Sequence, residues 1–389
     1  MPAGFTGKAG IKREADSFSR LWPSASVIAI TQLLPLLSEN VNQVNDQESI
    51  VTKDGRSIPS TPKLIRSSVG GDVRMDLHYE GLEQVLAFSL GQVANRIGGI
   101  LMPEDVNADQ TTFRHVFEID AALKQEGWKA NDGFIAGDPP VGDGLIAGLQ
   151  KLRRFTYAVF KGSTAWDVLS CMVNSISFEM NGNSVTANIN ITGYSQDFDS
   201  AVNAGISALS NCPDSKIVFN QGTLFFLELP SIVAFTPGLD EVGDIVSFNV
   251  QINNGLQFFN TRDTGVNIDE PQKTGVTGVT GSFALPRFSN LDMITRNRDS
   301  VQGKMLFQFE GEGIPGSIDN YVFNFWFPNV TLTGGEISIQ DSGQIQQNFA
   351  FIASNDEDDL DPVGFPETSR KNALTIELYN AEPLHPLLD

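Results

Sequence analysis

The groups that could do chemistry in this chain are few and scattered. Its three histidines, His78, His115 and His385, lie far apart, so a Ser-His-Asp triad or a histidine-bound metal would need distant segments to converge. No G-x-S-x-G, H-E-x-x-H or phosphate-loop pattern occurs; Gly4 to Lys8 lacks both the spacing and the Ser or Thr that must follow the lysine. Cys171 and Cys212 form no C-x-x-C pair and have no histidine at metal spacing, which predicts free thiols. The acidic run Asn355 to Pro362 has oxygen ligands for calcium but not the glycine and distant glutamate of an EF-hand, and it reads as a solvated loop. The expectation is no catalytic residue, no cofactor and no metal.

Binding chemistry is equally thin. Phe323-Asn324-Phe325-Trp326-Phe327 has the rings of a base-stacking platform but no basic neighbours, and its alternation assigns it to a strand of the core or of a subunit contact. Lys151-Leu152-Arg153-Arg154 is the densest basic cluster, suited as well to a solvated strand entrance or an acidic neighbour as to phosphate. Trp128 or Trp166 with paired carboxylates would suit a carbohydrate-binding or carbohydrate-cleaving β-protein. Asn190-Ile191-Thr192 and Asn329-Val330-Thr331 match the glycosylation sequon, but both sit in strand patterns with no export signal ahead of them.

Composition bounds what these residues can belong to. With 389 residues, 41% apolar and 19% charged, the chain has room for two sizeable cores. The 27 Phe against 5 Tyr and 4 Trp favour strands. Lys and Arg total 26 against 47 acidic residues, a formal charge of -21 that opposes any broad grip on phosphates. The start of the chain lacks the apolar stretch of a signal peptide, so assembly in a cytosol is expected. The most apolar run, Ser26 to Leu37, is interrupted by Gln32 and Pro35 and is too short to span a membrane.

The elements that must carry these residues are mostly strands. Val73, Met75, Leu77 and Tyr79 alternate with Asp72, Arg74, Asp76 and His78, a half-buried strand that puts His78 on its polar row. Leu82, Val85 and Leu86 then fall at helical spacing, predicting a short amphipathic helix that stops at Gly91. From Val173 to Thr192 the pattern is a hairpin turning at Asn181-Gly182-Asn183, with Val185, Ala187, Ile189 and Ile191 on one face and Thr186, Asn188, Asn190 and Thr192 on the other. Thr112 to Ile119 reads as a strand, Asn131 to Gly148 as an exposed loop, and Glu39 to Ser68 and Asn260 to Lys273 as irregular. New strand material starts at Lys216-Ile217-Val218-Phe219, and Leu374 to Leu378 closes the pattern.

The order of elements repeats. Gly70 to Leu77 is echoed by Thr277 to Leu285, each followed by a helical stretch, the later one carrying Leu291 and Ile294. Phe155 to Gly162 is matched to Lys304 to Gly311, and the hairpin around Asn174 and Asn188 to one around Asn329 and Asn348. The first copy holds a long insertion, about 92–152, where the second has a short link.

This order resembles the two-copy tail tube proteins of siphophages and related phages. The residues that carry the likeness are Gly7-Lys8-Ala9-Gly10-Ile11-Lys12-Arg13-Glu14, the Gly-Gly-led strand and helix at 70–91, the Phe155 to Gly162 strand with its hairpin, Val246 to Leu256 with its Asn-Gly-Leu turn, Gly275 to Leu285 and Leu374 to Tyr379. The resemblance implies an all-β fold with short flanking helices: an N-terminal arm (1–25) and two tandem β-sandwich or barrel modules (26–210 and 211–389). It implies a non-enzymatic tube subunit of the virion tail whose inner strands join those of neighbours. Three such chains would close a pseudo-sixfold ring, and stacked rings would let DNA transit without specific binding. Tape-measure, terminator and tail-tip proteins would be its further partners, and no membrane is involved. The loop residues Asn42, Asn45, Asp46 and Gln47 are candidates for reaching the next ring, and Asn188 and Asn190 for a lumen-facing polar row. Other tube-fold parts of the tail, such as baseplate or completion proteins, share the expected fold.

Overall fold

A computed structural model describes residues 7–14, 23, 26–48, 63–90, 92–93, 95–97, 100–102, 104–105, 111–119, 154–181, 184–210, 215–229, 234–242, 245–258, 267–269, 271–273, 277–286, 291–339, 345–354 and 373–381. Strands dominate the described residues, and every strand-to-strand ladder among them is antiparallel. The first part of the chain contains β1 (Lys8–Arg13), β2 (Leu36–Glu39), β3 (Asn42–Glu48), β4 (Lys63–Asp76) and helix α1 (Glu83–Ser89). Four short strands follow, β5 (Gln92–Val93), β6 (Asn95–Ile97), β7 (Ile100–Met102) and β8 (Glu104–Asp105), then β9 (Phe113–Glu118). Next come β10 (Phe155–Phe160), β11 (Ala165–Asn181), β12 (Ser184–Gly193) and β13 (Ser195–Asp197). The later part contains β14 (Gly222–Glu228), β15 (Ser247–Asn253), β16 (Leu256–Gln257), β17 (Gln272–Lys273), β18 (Gly278–Leu285), helix α2 (Leu291–Arg298), β19 (Gln302–Gly313), β20 (Asn320–Ile339), β21 (Ile345–Ser354) and β22 (Thr375–Asn380).

Two long strands organise everything else, because each changes partners halfway. The first half of β11 pairs with β10 and β13, and from Met172 onward it pairs with β12 and β15. Likewise the first half of β20 lies between β19 and β22, and from Asn329 onward it pairs with β21. The second halves build one continuous sheet in the order β2/β3, β4, β12, β11, β15, β18, β21, β20. The first halves build the opposing layer, β1–β10–β11–β13 beside β14–β19–β20–β22–β9.

Between the layers lies the apolar core. Strict alternation sends Ile176, Phe178 and Met180 of β11 and Phe248, Val250 and Ile252 of β15 inward, all of them buried. Phe178 meets Phe325 at 5.0 Å and Phe248 meets Phe307 at 4.2 Å, joining sheet to sheet. Each fully buried Phe contributes roughly 1.5–3 kcal/mol, which explains the bias toward this residue. The cluster runs unbroken through both parts of the chain.

Several expectations change. Residues 42–48 and 63–68, expected to be irregular, are the paired arms of a β3–β4 hairpin; a strand of Asn, Gln and Asp on a sheet margin has no apolar alternation to betray it. Helix α1 is not amphipathic in place, since all seven of its residues, Glu83 and Gln84 included, are buried. Lys216 is joined to His78 by an isolated bridge and to Asp76 by an ion pair at 2.9 Å, residues Phe219–Gln221 form a 3-10 turn, and the strand starts at Gly222. Strand β9 matches the segment expected at 112–119. The turn residues Gly182 and Asn183, the loop 131–148, the acidic run 355–362, Trp128, Cys212 and His385 lie outside the described residues.

Candidate assembly surface

The outer face of the continuous sheet is the largest functional candidate. Opposite the buried rows stand Asp72, Arg74 and Asp76 of β4, Asn188 and Asn190 of β12, Ser175, Ser177 and Glu179 of β11, and Asn249, Gln251 and Asn253 of β15, each partly or fully exposed. The face continues through Thr280 and Ser282 of β18 and Asn348 of β21. Ten of these fourteen residues carry amides or hydroxyls, and of the four charged ones, Asp72, Arg74, Asp76 and Glu179, only Arg74 is a cation. Asn190 donates to Asp72 Oδ1 at 2.9 Å and accepts from Asn174 at 3.3 Å, and Arg74 pairs with Glu179 at 3.3 Å. The face is thus knitted strand to strand by its own polar groups.

Asn42, Asn45, Asp46 and Gln47 are exposed on β3, one strand beyond β4. They share a sheet with Asn188 and Asn190 but do not meet them: β4 lies between. Among the described residues no strand pairs with the outer side of β2 and β3, nor with the outer side of β20 beyond Thr331.

Polar groups inside the molecule serve the fold. Glu14 is fully buried; its carboxylate accepts from the Ser170 backbone N–H at 2.7 Å, the Ser170 hydroxyl at 3.0 Å and the Thr156 hydroxyl at 3.2 Å. Ser170 has φ of 54°, an unfavourable region for a residue with a Cβ, at the place where β11 changes layers. Glu377 accepts from Arg114, Asn324 and Trp326, binding β9, β20 and β22 into one knot. His115 is buried against Asn380 at 3.1 Å, and Cys171 is buried beside Glu14, where desolvation first and the carboxylate second push its thiol up. That is a poor nucleophile. Asp167 is likewise pushed up by burial, against the lowering effect of hydrogen bonds from Ser200 and Asn203. The buried roles of Glu14 and Glu377 are not legible in the sequence, because a carboxylate looks like any surface one until its partners arrive, Ser170 from 156 residues and Arg114 from 263 residues away.

Among the described residues no group of three or more His, Cys, Asp or Glu is placed to hold a metal, and no helix is long and apolar enough to cross a membrane. Fold and surface define a strand-built protein with a polar sheet face and, among the described residues, unpaired margins. Residues 4–353 match the profile of the phage tail tube protein, and the chain belongs to that family. No curated protein matches the sequence. The family is a structural one, so the chain is a component of the phage tail, part of the virion, that works by self-assembly with other tail parts.

Proposed function

We propose that this chain is the major subunit of the tail tube, carrying two copies of one β-module and polymerising as stacked rings through which DNA is ejected. The observation that carries the reading is the recurrence of strand order: β2/β3–β4–β12–β11 is followed in the same sheet by β15–β18–β21–β20. Irregularities recur with it. Register shifts at Phe155/Tyr157 and Val173/Ser175 have counterparts at Gly303/Met305 and Leu332/Gly334. The second register aligns Tyr157 with Met305, one residue away from the Phe155–Lys304 match expected from the sequence.

A sheet whose halves repeat and whose margins are unpaired extends head to tail, and three such chains close a ring of six modules. The polar face then lines the channel, with Asn188 and Asn190 in it. Few cations stand there to hold phosphates, and the neutral amides let the duplex slide. Asp46 and Gln47, toward the end of the β3–β4 hairpin, reach the adjoining ring, while Asn42 and Asn45 lie on the sheet margin itself.

Electron microscopy of the purified chain tests this: the expected result is tubes of stacked threefold rings with a channel wide enough for a duplex. Single rings that never stack would assign it to another tube-fold part of the tail, and a protein that stays monomeric would overturn the reading. Phage carrying Asn188→Lys and Asn190→Lys should eject DNA more slowly, and an unchanged rate would remove these residues from the lining.

A further inference from the structure

The chain contains one complete copy of a strand junction, between β11 and β15, and both halves of a second. Opposite partners in the first are Ser175–Asn253, Ser177–Gln251 and Glu179–Asn249. Aligning the repeated register shifts and following the ladders across each half places Gly71 with Gly281, and β2/β3 with β15. Ser38-Glu39-Asn40-Val41-Asn42-Gln43-Val44-Asn45 then lies on Ser247-Phe248-Asn249-Val250-Gln251-Ile252-Asn253-Asn254, with Ser, Asn, Val and the final Asn shared.

Packing supports this alignment independently. A Cβ on Gly71 would stand 2.8 Å from the Asn40 carbonyl oxygen, and one on Gly281 would stand 2.5 Å from the Asn249 carbonyl oxygen. The two backbones approach in the same way at aligned residues, and Val41 and Val250 are both buried behind them.

Resting on the tube reading above, we infer that the junction between subunits repeats the β11–β15 register: β20 of one chain pairs antiparallel with β2/β3 of the next, with Gly334 opposite Val44, Glu336 opposite Asn42 and Ser338 opposite Asn40. Asn45 takes the place of Asn254, which at the internal junction donates its backbone N–H to Asn174 O at 2.9 Å and its amide to Ser89 O and Val173 O, each at 3.0 Å. Among the described residues the margin is covered at Val41. Val41 N–H donates to Glu39 Oε2 at 3.0 Å, Lys161 reaches Val41 O at 3.4 Å, and Lys161 and Glu39 pair at 2.9 Å. Both side chains swing aside when the neighbouring strand arrives.

Because Asn254 donates across the internal junction, alternation places Gln251, and by alignment Asn42, at a non-hydrogen-bonded site where opposed Cβ atoms are closest. Full-length chain with Asn42→Cys and Glu336→Cys should, after assembly and oxidation, give covalent multimers on a non-reducing gel. Yields should be about fivefold or more above those of Asn42→Cys with Gly334→Cys or Ser338→Cys, whose sulfurs lie too far apart. Ser177→Cys with Gln251→Cys reports the same geometry within one chain. Asn42→Lys, coupled by carbodiimide to native Glu336, repeats the test without cysteines. Tubes or rings that cross-link best at a shifted pair, or at none, overturn the register and leave the tube reading standing; failure of the unmodified chain to polymerise overturns both.

Discussion

The junction between β11 and β15 and the unpaired margins at β2/β3 and β20 follow the same strand order but differ in what faces them. At the junction, the Asn254 amide is held between two carbonyls and both strands are locked on each side. At the margin, Asn45 accepts from its near neighbour Gln43 at 3.1 Å, and the outward groups of Val41 are held by Glu39 and Lys161. A bare strand edge invites pairing with any chain. On the proposed junction, a side-chain cover that a matching strand displaces leaves the edge usable without leaving it open, and stability and assembly are carried by different parts of one sheet.

Substitutions that strike aligned positions sharpen this contrast. Gly281→Val forces a side chain into the backbone of a strand fixed on both sides, and should cost about 3 kcal/mol of unfolding free energy. Its counterpart Gly71→Val presses on β2/β3, which among the described residues is held on one side only and can shift outward, but its φ of 158° adds backbone strain that Gly281 lacks; a loss of about 2 kcal/mol in urea titration, with assembly abolished, is expected. A loss larger than that of Gly281→Val would mean the margin is as rigid as the junction.

The layer-changing points offer a second contrast. Removing the carboxylate with Glu14→Ala takes from the strained Ser170 the acceptor of its N–H and its hydroxyl, at a cost of about 2 kcal/mol. Asn329 is the aligned residue in β20, and its Oδ1 meets no donor among the described residues; Asn329→Ala should cost well under half as much by the same measurement.

Asp167 titrates only in the first of these regions. Its folded-state pKa is raised, so its contribution to stability is complete below the unfolded carboxyl pKa and is lost as pH rises through the folded value. The stability of the wild type relative to Asp167→Asn should therefore fall on going from about pH 3 to pH 7, and a flat difference would show that Ser200 and Asn203 fully offset burial. The smallest effect is expected on the wet face. Arg74 and Glu179 are both about half exposed, so Arg74→Ala should change monomer stability by no more than about 0.5 kcal/mol.

Much of the molecule was legible where apolar and polar residues alternate. The β11–β12 hairpin and β18 lie where period-two patterning puts them, because one face of each is buried in the core, and β9 and β22 also fall at their expected places although β22 is buried on both faces. Patterning failed at β3, whose partners supply hydrogen bonds rather than burial, and at α1 it gave the helix but not its burial, since α1 is enclosed on every side. Half of the candidate surface was readable: Asn188 and Asn190 stand on a polar row, as alternation requires. That Asn42 and Asn45 belong to the same sheet was hidden, since the likeness between 38–45 and 247–254 is visible only once each is placed against its ladder.

Composition and alternation determined by themselves that this chain is all-β, acidic and without the motifs of an enzyme, for these are local properties of residue type and spacing. Which strands stand beside one another, where β11 and β20 cross between layers, how Glu14 and Glu377 find their donors and which margins remain unpaired were decided only by tertiary structure. The physical reason is that a ladder is specified by both of its strands at once. Either strand alone states which face is wet, and neither states who its neighbour will be.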